Sequence, residues 1–164
     1  VTYAFLYGAG DKKIGTSFDG SLGEDQAKRK GKEIRKAYVD AIEGLSDLLK
    51  AVKRASERGF VRSIDGRNIG VDQRHKSLNY LIQGSSATLA KYWMVLANCA
   101  TTIEKHTHQL AFVHDELQYE TTPEYAEDLK FLLELTATQA GEHYKLRIPI
   151  AAEAKSGSNW AKVH

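Results

Sequence analysis

The chain of 164 residues reads as α+β. Three observations predict that class. Apolar residues recur at spacings of three and four over residues 24–58, and residues 79–104 read as a long, mostly apolar helix. Short apolar runs bounded by turn residues, such as 60–64 before Asp65-Gly66, read as hairpin strands. The two kinds of element do not alternate regularly, which argues against a parallel sheet wound with helices.

The elements follow in order. Residues 1–7 are apolar and aromatic, and Gly8-Ala9-Gly10 ends them as a helix stop would. Residues 11–18 fit one short helix, and Asp19-Gly20-Ser21-Leu22-Gly23 a loop. The helical stretch 24–58 carries Ile34, Tyr38, Ala41, Leu45, Leu49 and Val52 on its apolar side, with Gly44 as a candidate divider. Residues 60–64 and 67–71 read as paired strands. A long, mostly apolar helix is expected over 79–104, with a candidate kink at Gly84-Ser85-Ser86. Residues 110–113 and 117–121 read as two strands with His114-Asp115-Glu116 at their tip. Pro123 suits a helix start, and an acidic helix runs to about His143. Residues 149–152 read as a last strand, and 157–164 as a polar tail holding Trp160.

Composition narrows the class of protein. The chain is 42% hydrophobic and 27% charged, which excludes a disordered tail and a collagen-like fibre. A single cysteine, Cys99, excludes an internal disulfide and fits a reducing compartment. No apolar run approaches the roughly 18 residues of a membrane span. The start, Val1-Thr2-Tyr3, lacks both a secretory pattern and a Met, so a processed chain or a piece of a longer one is expected. The net charge of +2 hides an asymmetry. Residues 1–114 hold 18 Lys/Arg against 12 Asp/Glu, and residues 115–164 hold 5 against 9. The basic peak is Lys28-Arg29-Lys30-Gly31-Lys32-Glu33-Ile34-Arg35-Lys36, a pattern that suits a phosphate backbone or a solvated helix face.

Three local patterns carry chemistry. Asp115 and Glu116 at a hairpin tip could converge on a hard divalent ion such as Mg²⁺, or simply face solvent. Two carboxylates are too few for a two-metal centre, so further ligands must come from elsewhere in the fold or from another chain. Tyr3 and Tyr7, four apart, share a helix face that suits stacking on a base or sugar, or packing against another helix. His75, Asn79 and Gln83 repeat every four residues as a hydrogen-bonding stripe, or as the wet side of a helix.

Together these patterns resemble DNA polymerases of family A. Tyr3-Ala4-Phe5-Leu6-Tyr7-Gly8-Ala9-Gly10 resembles the end of motif B. Asn79-Tyr80-Leu81-Ile82-Gln83-Gly84-Ser85 resembles the family's Asn-x-x-x-Gln-Gly stretch, and Val113-His114-Asp115-Glu116 resembles motif C. Asp65-Gly66-Arg67 is similar to a family hairpin, and residues 6–15 look particularly like T7-type phage enzymes. The ending Gly157-Ser158-Asn159-Trp160-Ala161-Lys162-Val163-His164 resembles the family's closing pattern, which implies a genuine C-terminus.

The resemblance implies a right-hand fragment: a helical fingers portion over 1–59, and a palm portion over 60–164 with short antiparallel strands and a long helix. It implies that Asp115 coordinates two catalytic Mg²⁺ ions, that Glu116 supports the site, and that His114 lies near the primer end. Tyr3 would contact the sugar region of an incoming deoxynucleoside triphosphate, and Tyr7 the nascent base pair. His75, Asn79 and Gln83 would contact the primer–template minor groove, and Arg67 the DNA backbone. The motif A aspartate and the Arg and Lys that begin motif B lie upstream of Val1. The resemblance therefore implies a polymerase portion active with an N-terminal partner chain, in the host cytoplasm if phage-encoded. The alternative is a non-catalytic DNA-binding or replication-scaffold module.

Overall fold

The computed structural model describes residues 2–102 and 106–163. They form an α+β fold with six α-helices and two two-stranded antiparallel sheets among the described residues. Packing divides the chain into two compact units, Val1–Gly84 and Ser85–His164. That division falls inside a helix rather than after residue 59; a division by packing and one by role need not coincide.

In the first unit, α1 (Thr2–Leu6) closes as the glycines require. Gly8 adopts φ 71°, a left-handed conformation that glycine reaches without a Cβ clash. Its N–H donates to the Phe5 carbonyl at 3.0 Å and the Ala9 N–H to the Ala4 carbonyl at 2.9 Å, the paired bonds of a Schellman stop. Helix α2 (Asp11–Phe18) matches its expected span. Helix α3 (Glu24–Ala41) lies so close to α2 that only glycine fits between them. A Cβ at Gly15 would stand 1.8 Å from the Ala27 carbonyl oxygen, and one at Gly31 1.8 Å from that of Asp11. Gly44, at φ 79°, divides the long helical stretch as expected and leads into α4 (Leu45–Ser56).

Strands β1 (Phe60–Arg62) and β2 (Asn68–Gly70) pair as a hairpin, shorter than the sequence suggested. The turn takes over the remaining residues: Ser63 N–H donates to the Arg67 carbonyl, and Gly66 sits at φ 84°. A 3-10 turn over Arg74–Lys76 then enters α5 (Ser77–Thr101), so the helix begins two residues before Asn79. Its expected end near Glu104 lies outside the described residues. Gly84-Ser85-Ser86 does not interrupt α5; the missing Cβ at Gly84 instead leaves room for Ile69 Cδ1, which a Cβ would meet at 2.2 Å. The core of this unit is Phe5, Val52, Val61 and Leu78, one side chain each from α1, α4, β1 and α5.

In the second unit, β3 (His108–Val113) and β4 (Glu116–Glu120) form the second hairpin, with a register shift between Gln109 and Ala111. Glu116 belongs to β4, paired with Val113, so the expected three-residue tip contracts to His114-Asp115. A 3-10 turn over Pro123–Tyr125 opens α6 (Ala126–His143). Helix α6 ends in another Schellman arrangement, with Lys145 at φ 53° where glycine is usual. Residues 149–152 are not a strand. Helix side chains engage this segment's backbone instead of a ladder: the Thr138 hydroxyl donates to the Ile150 carbonyl at 3.1 Å, and just beyond it Ala154 N–H donates to Glu134 at 2.9 Å. No described helix is long and apolar enough to cross a membrane.

The α2–α3 contact makes a direct prediction. Gly31→Ala should force the helices apart, cost about 1–3 kcal/mol, and lower Tm by roughly 2–12 °C. Calorimetry that shows an unchanged Tm would refute the backbone-to-backbone contact.

Candidate functional site

Tyr3 and Tyr7 are turned outward by the burial of Phe5. Helical geometry advances about 100° per residue, so residues two away from Phe5 point to the opposite side. Phe5 is 4% exposed, whereas Tyr3 is 80% and Tyr7 52% exposed. The Tyr7 N–H still donates to the Tyr3 carbonyl at 2.9 Å, which keeps both rings on one helical face. From α3, Arg35 fixes the end of this element: its guanidinium donates to the Ala9 carbonyl and to Asp11, and lies 5.6 Å from the centre of the Phe5 ring.

The polar stripe meets the tyrosines. Gln83 Nε2 donates to the Tyr7 hydroxyl at 3.0 Å, across 76 residues of sequence. Gly8 lies against the His75 backbone, where a Cβ would come within 2.2 Å of the carbonyl oxygen. His75 sits in the 3-10 turn rather than in α5, so the four-residue face holds for Asn79 and Gln83 while His75 joins them through the turn. A clip closes over that turn: the Tyr80 hydroxyl donates to Asp72, and the Ser77 hydroxyl donates to the Arg74 carbonyl. Tyr80's donation holds the Asp72 carboxyl below the usual range, and the same bond raises the Tyr80 phenol. Arg67 stands apart at the β1–β2 turn, exposed and ion-paired with Asp65.

His114, Asp115 and Glu116 belong to the second unit. His114 holds φ 57°, a left-handed conformation at the first position of a two-residue hairpin turn. Asp115 is exposed beside it, while Glu116 is half-buried and accepts a hydrogen bond from the Gln118 amide. Both carboxylates line an open groove of about 1450 Å³, with Trp93, Leu129 and Leu133 among its apolar walls. They are hard oxygen donors, suited to Mg²⁺. Among the described residues no group of three or more candidate metal ligands gathers. Asp115 and Glu116 are two carboxylates on one groove, and by themselves they do not make up a metal site.

Residues 1–162 match the sequence model of DNA polymerase family A. The chain belongs to that family. Among its relatives, the DNA-directed DNA polymerase of Escherichia phage Phieco32 is 31% identical over 172 residues, covering 99% of this chain and 27% of that protein. That of Enterobacteria phage T3 is 27% identical over 186 residues, covering 99% of this chain and 25% of the relative. The chain thus spans about a quarter of the length of the curated relatives it matches. Its fold is also that of the POL domain of Pol1 from M. smegmatis, solved in complex with DNA primer-template and dNTP. That comparison gives a TM-score of 0.73 at 23% identity, covering 91% of this chain and 27% of the other.

Within the family A chain, the structure adds residues that sequence reading passed over. Gln118 shares a strand face with Glu116 through the two-residue period, a signal that was available. Arg35 and Asp72 act across elements, and nothing local announces them.

The Asp72–Tyr80 clip sets a pH window. Asp72's lowered pKa contributes stability above the ordinary aspartate value, lost as pH falls through the lowered one. Tyr80's raised pKa contributes stability below the ordinary tyrosine value, lost as pH rises through the raised one. In Tyr80→Phe, carboxyl NMR should find Asp72 titrating at higher pH; an unmoved titration would remove the clip from the account.

Proposed function

We propose that this chain is the C-terminal portion of a DNA-directed DNA polymerase, adding deoxynucleotides to a primer 3′ end together with an N-terminal partner. The observation that most supports this reading is the Gln83–Tyr7 hydrogen bond. It joins the end of motif B to the Asn-x-x-x-Gln stretch, so that a nucleotide-contacting face and a primer–template-contacting face become one surface. In this reading residues 1–59 are a fingers portion and 60–164 a palm portion, working in the cytoplasm, that of the host cell if the chain is phage-encoded.

The chain's own residues divide the work. Tyr3 meets the sugar of the incoming deoxynucleoside triphosphate, and Tyr7 backs the nascent base pair. His75, Asn79 and Gln83 offer hydrogen bonds to the minor groove of primer–template DNA, where acceptors are present at every base pair. Arg67 neutralises backbone phosphate, and His114 positions the primer terminus. Asp115 would hold Mg²⁺, with Glu116 kept in orientation by Gln118; the remaining ligands of two ions, motif A's aspartate among them, come from the partner. When bound, the metal supplies charge stabilisation at the transferring phosphoryl group and at the attacking and leaving oxygens. The primer 3′-oxygen forms a bond to the α-phosphorus, the α–β bridging bond breaks, and pyrophosphate leaves.

The purified chain alone should show no primer extension, and adding the N-terminal portion should restore it. In the reconstituted enzyme, Asp115→Ala should lower the extension rate by about 10²- to 10³-fold, on the order seen when a charge-stabilising group at a transition state is lost. Extension that survives this change would remove Asp115 from catalysis. Salt-sensitive DNA binding without Mg²⁺-dependent extension under any pairing would favour the non-catalytic scaffold.

A further inference from the structure

Gly31, Arg35 and Tyr38 recur at spacings of four and three, which places them on one face of α3. Each meets a different part of the chain that precedes it. At Gly31 the helix backbone comes against Asp11, where a Cβ would stand 1.8 Å from the carbonyl oxygen. One turn further on, the Arg35 guanidinium reaches three groups. Its Nε donates to Asp11 Oδ1 at 2.6 Å, its Nη2 donates to the Ala9 carbonyl, and its central carbon lies 5.6 Å from the centre of the Phe5 ring. Tyr38 completes the stripe, its ring centre 4.8 Å from that of Phe5.

The three partners of Arg35 lie along the corner between two helices. Phe5 is in α1, Ala9 follows the Gly8 stop, and Asp11 opens α2. A planar guanidinium donates in fixed directions while its face covers a ring, whereas an ammonium is a point charge and cannot serve all three groups at once. The Arg35 and Asp11 side chains are 34% and 31% exposed, so water and salt reach the pair only in part. The neighbouring Lys32 and Lys36 are exposed, but the charge of Arg35 is engaged within the protein. Helix α1 has five residues, too few to hold a direction of its own. Its direction is set by whatever grips Phe5 and the segment after it. Tyr7 has a second hold in Gln83. Among the described residues no side-chain bond holds Tyr3, at the far end of α1.

We propose that Arg35 is a positioning residue for the incoming nucleotide: by tying α1 to α2 and α3 it sets where Tyr3 meets the sugar. Arg35 itself touches no substrate and acts through Phe5 and the corner at Ala9. The inference rests on the reading of Tyr3 as the sugar contact and deepens it, because selection on the sugar is then exercised by Tyr3 but set from α3.

Two measurements test this. In the full 164-residue chain, hydrogen exchange followed by NMR reads the hold on α1. In Arg35→Lys, which keeps the charge, and in Arg35→Gln, the Gly8 and Ala9 N–H groups should exchange about tenfold faster, as a charge-assisted bond is lost. Exchange as slow as in the parent would overturn the proposal. In the enzyme reconstituted with its N-terminal portion, primer extension with dTTP gives kcat/KM for the parent, Arg35→Gln, Tyr3→Ala and the double variant. Arg35→Gln should lower kcat/KM by up to about 10²-fold, the cost of a contact placed about 1 Å away. It should also shift the preference for dTTP over its 2′,3′-dideoxy analogue severalfold. In the Tyr3→Ala background the same change should cost less than about twofold, because residues that act through one another do not add. An equal loss in both backgrounds would mark a merely structural role and overturn the proposal. An unchanged sugar preference, or an Arg35→Gln enzyme within twofold of the parent, would do the same. A parent that extends no primer would bring down the reading of Tyr3 and the inference with it, and the exchange rates in the chain alone tell that failure from a failure of the Arg35 anchor.

Discussion

The burial of Phe5 is the interaction on which the first unit turns. A helix of five residues cannot sustain itself in water, because nucleation is unfavourable and few hydrogen bonds follow it. Helix α1 persists because Phe5 enters the core with Val52, Val61 and Leu78, while the Tyr38 ring lies 4.8 Å away and Arg35 covers another side. Burying such a ring contributes about 1.5–3 kcal/mol. The geometric consequence matters as much as the energy. With Phe5 inside, Tyr3 and Tyr7 have nowhere to point but outward, and the Gly8 stop then brings the chain against His75. One apolar anchor thereby presents two polar-tipped rings to solvent beside a row of hydrogen-bonding side chains.

The second unit is secured differently. Its core holds small side chains, Ala97, Ala137 and Ala140, together with Leu129 and the buried hydroxyl of Thr136. Side-chain-to-backbone bonds supply much of the specificity: Trp93 donates to the Leu133 carbonyl at 3.0 Å, and Thr138 and Glu134 hold the extended segment against α6. Such bonds contribute about 1 kcal/mol each, but a buried group left without its partner costs more, so they fix position more than they add stability. The hairpin tip shows the same preference for position. His114 occupies a left-handed conformation that glycine would adopt more easily, and the carboxylate of Asp115 is set at the end of two paired strands.

Much of this was legible in the sequence where the signal is local. Gly8, Gly44 and the span of α2 follow from backbone freedom and periodicity, which act within a few residues. The errors arose where tertiary partners decide. Residues 149–152 form an apolar run that looks the same whether it joins a ladder or lies on a helix, and only Thr138 and Glu134 distinguish the two. The strand expected over 110–113 starts two residues earlier, because His108 and Gln109 pair with Glu120 and Tyr119. In the candidate site, each motif was visible by itself. That Tyr7 and Gln83 touch was not, because no local pattern encodes a contact across 76 residues.

Helix α5 runs from Ser77 to Thr101, and the boundary between the two compact units falls within it, after Gly84. Its amides on both sides of Gly84 belong to one ladder, about 37 Å long at 1.5 Å per residue. If residues 77–84 melt, the remaining turns begin with four unsatisfied N–H groups that had partners before. Local opening of residues 77–84 therefore moves the helix end into the second unit, where those donors must turn to water or a cap. A cut in the chain has the same asymmetry. A break in the loop at Gly20 or beside Gly44 severs a connection, whereas a break after Gly84 would destroy an element that both units use.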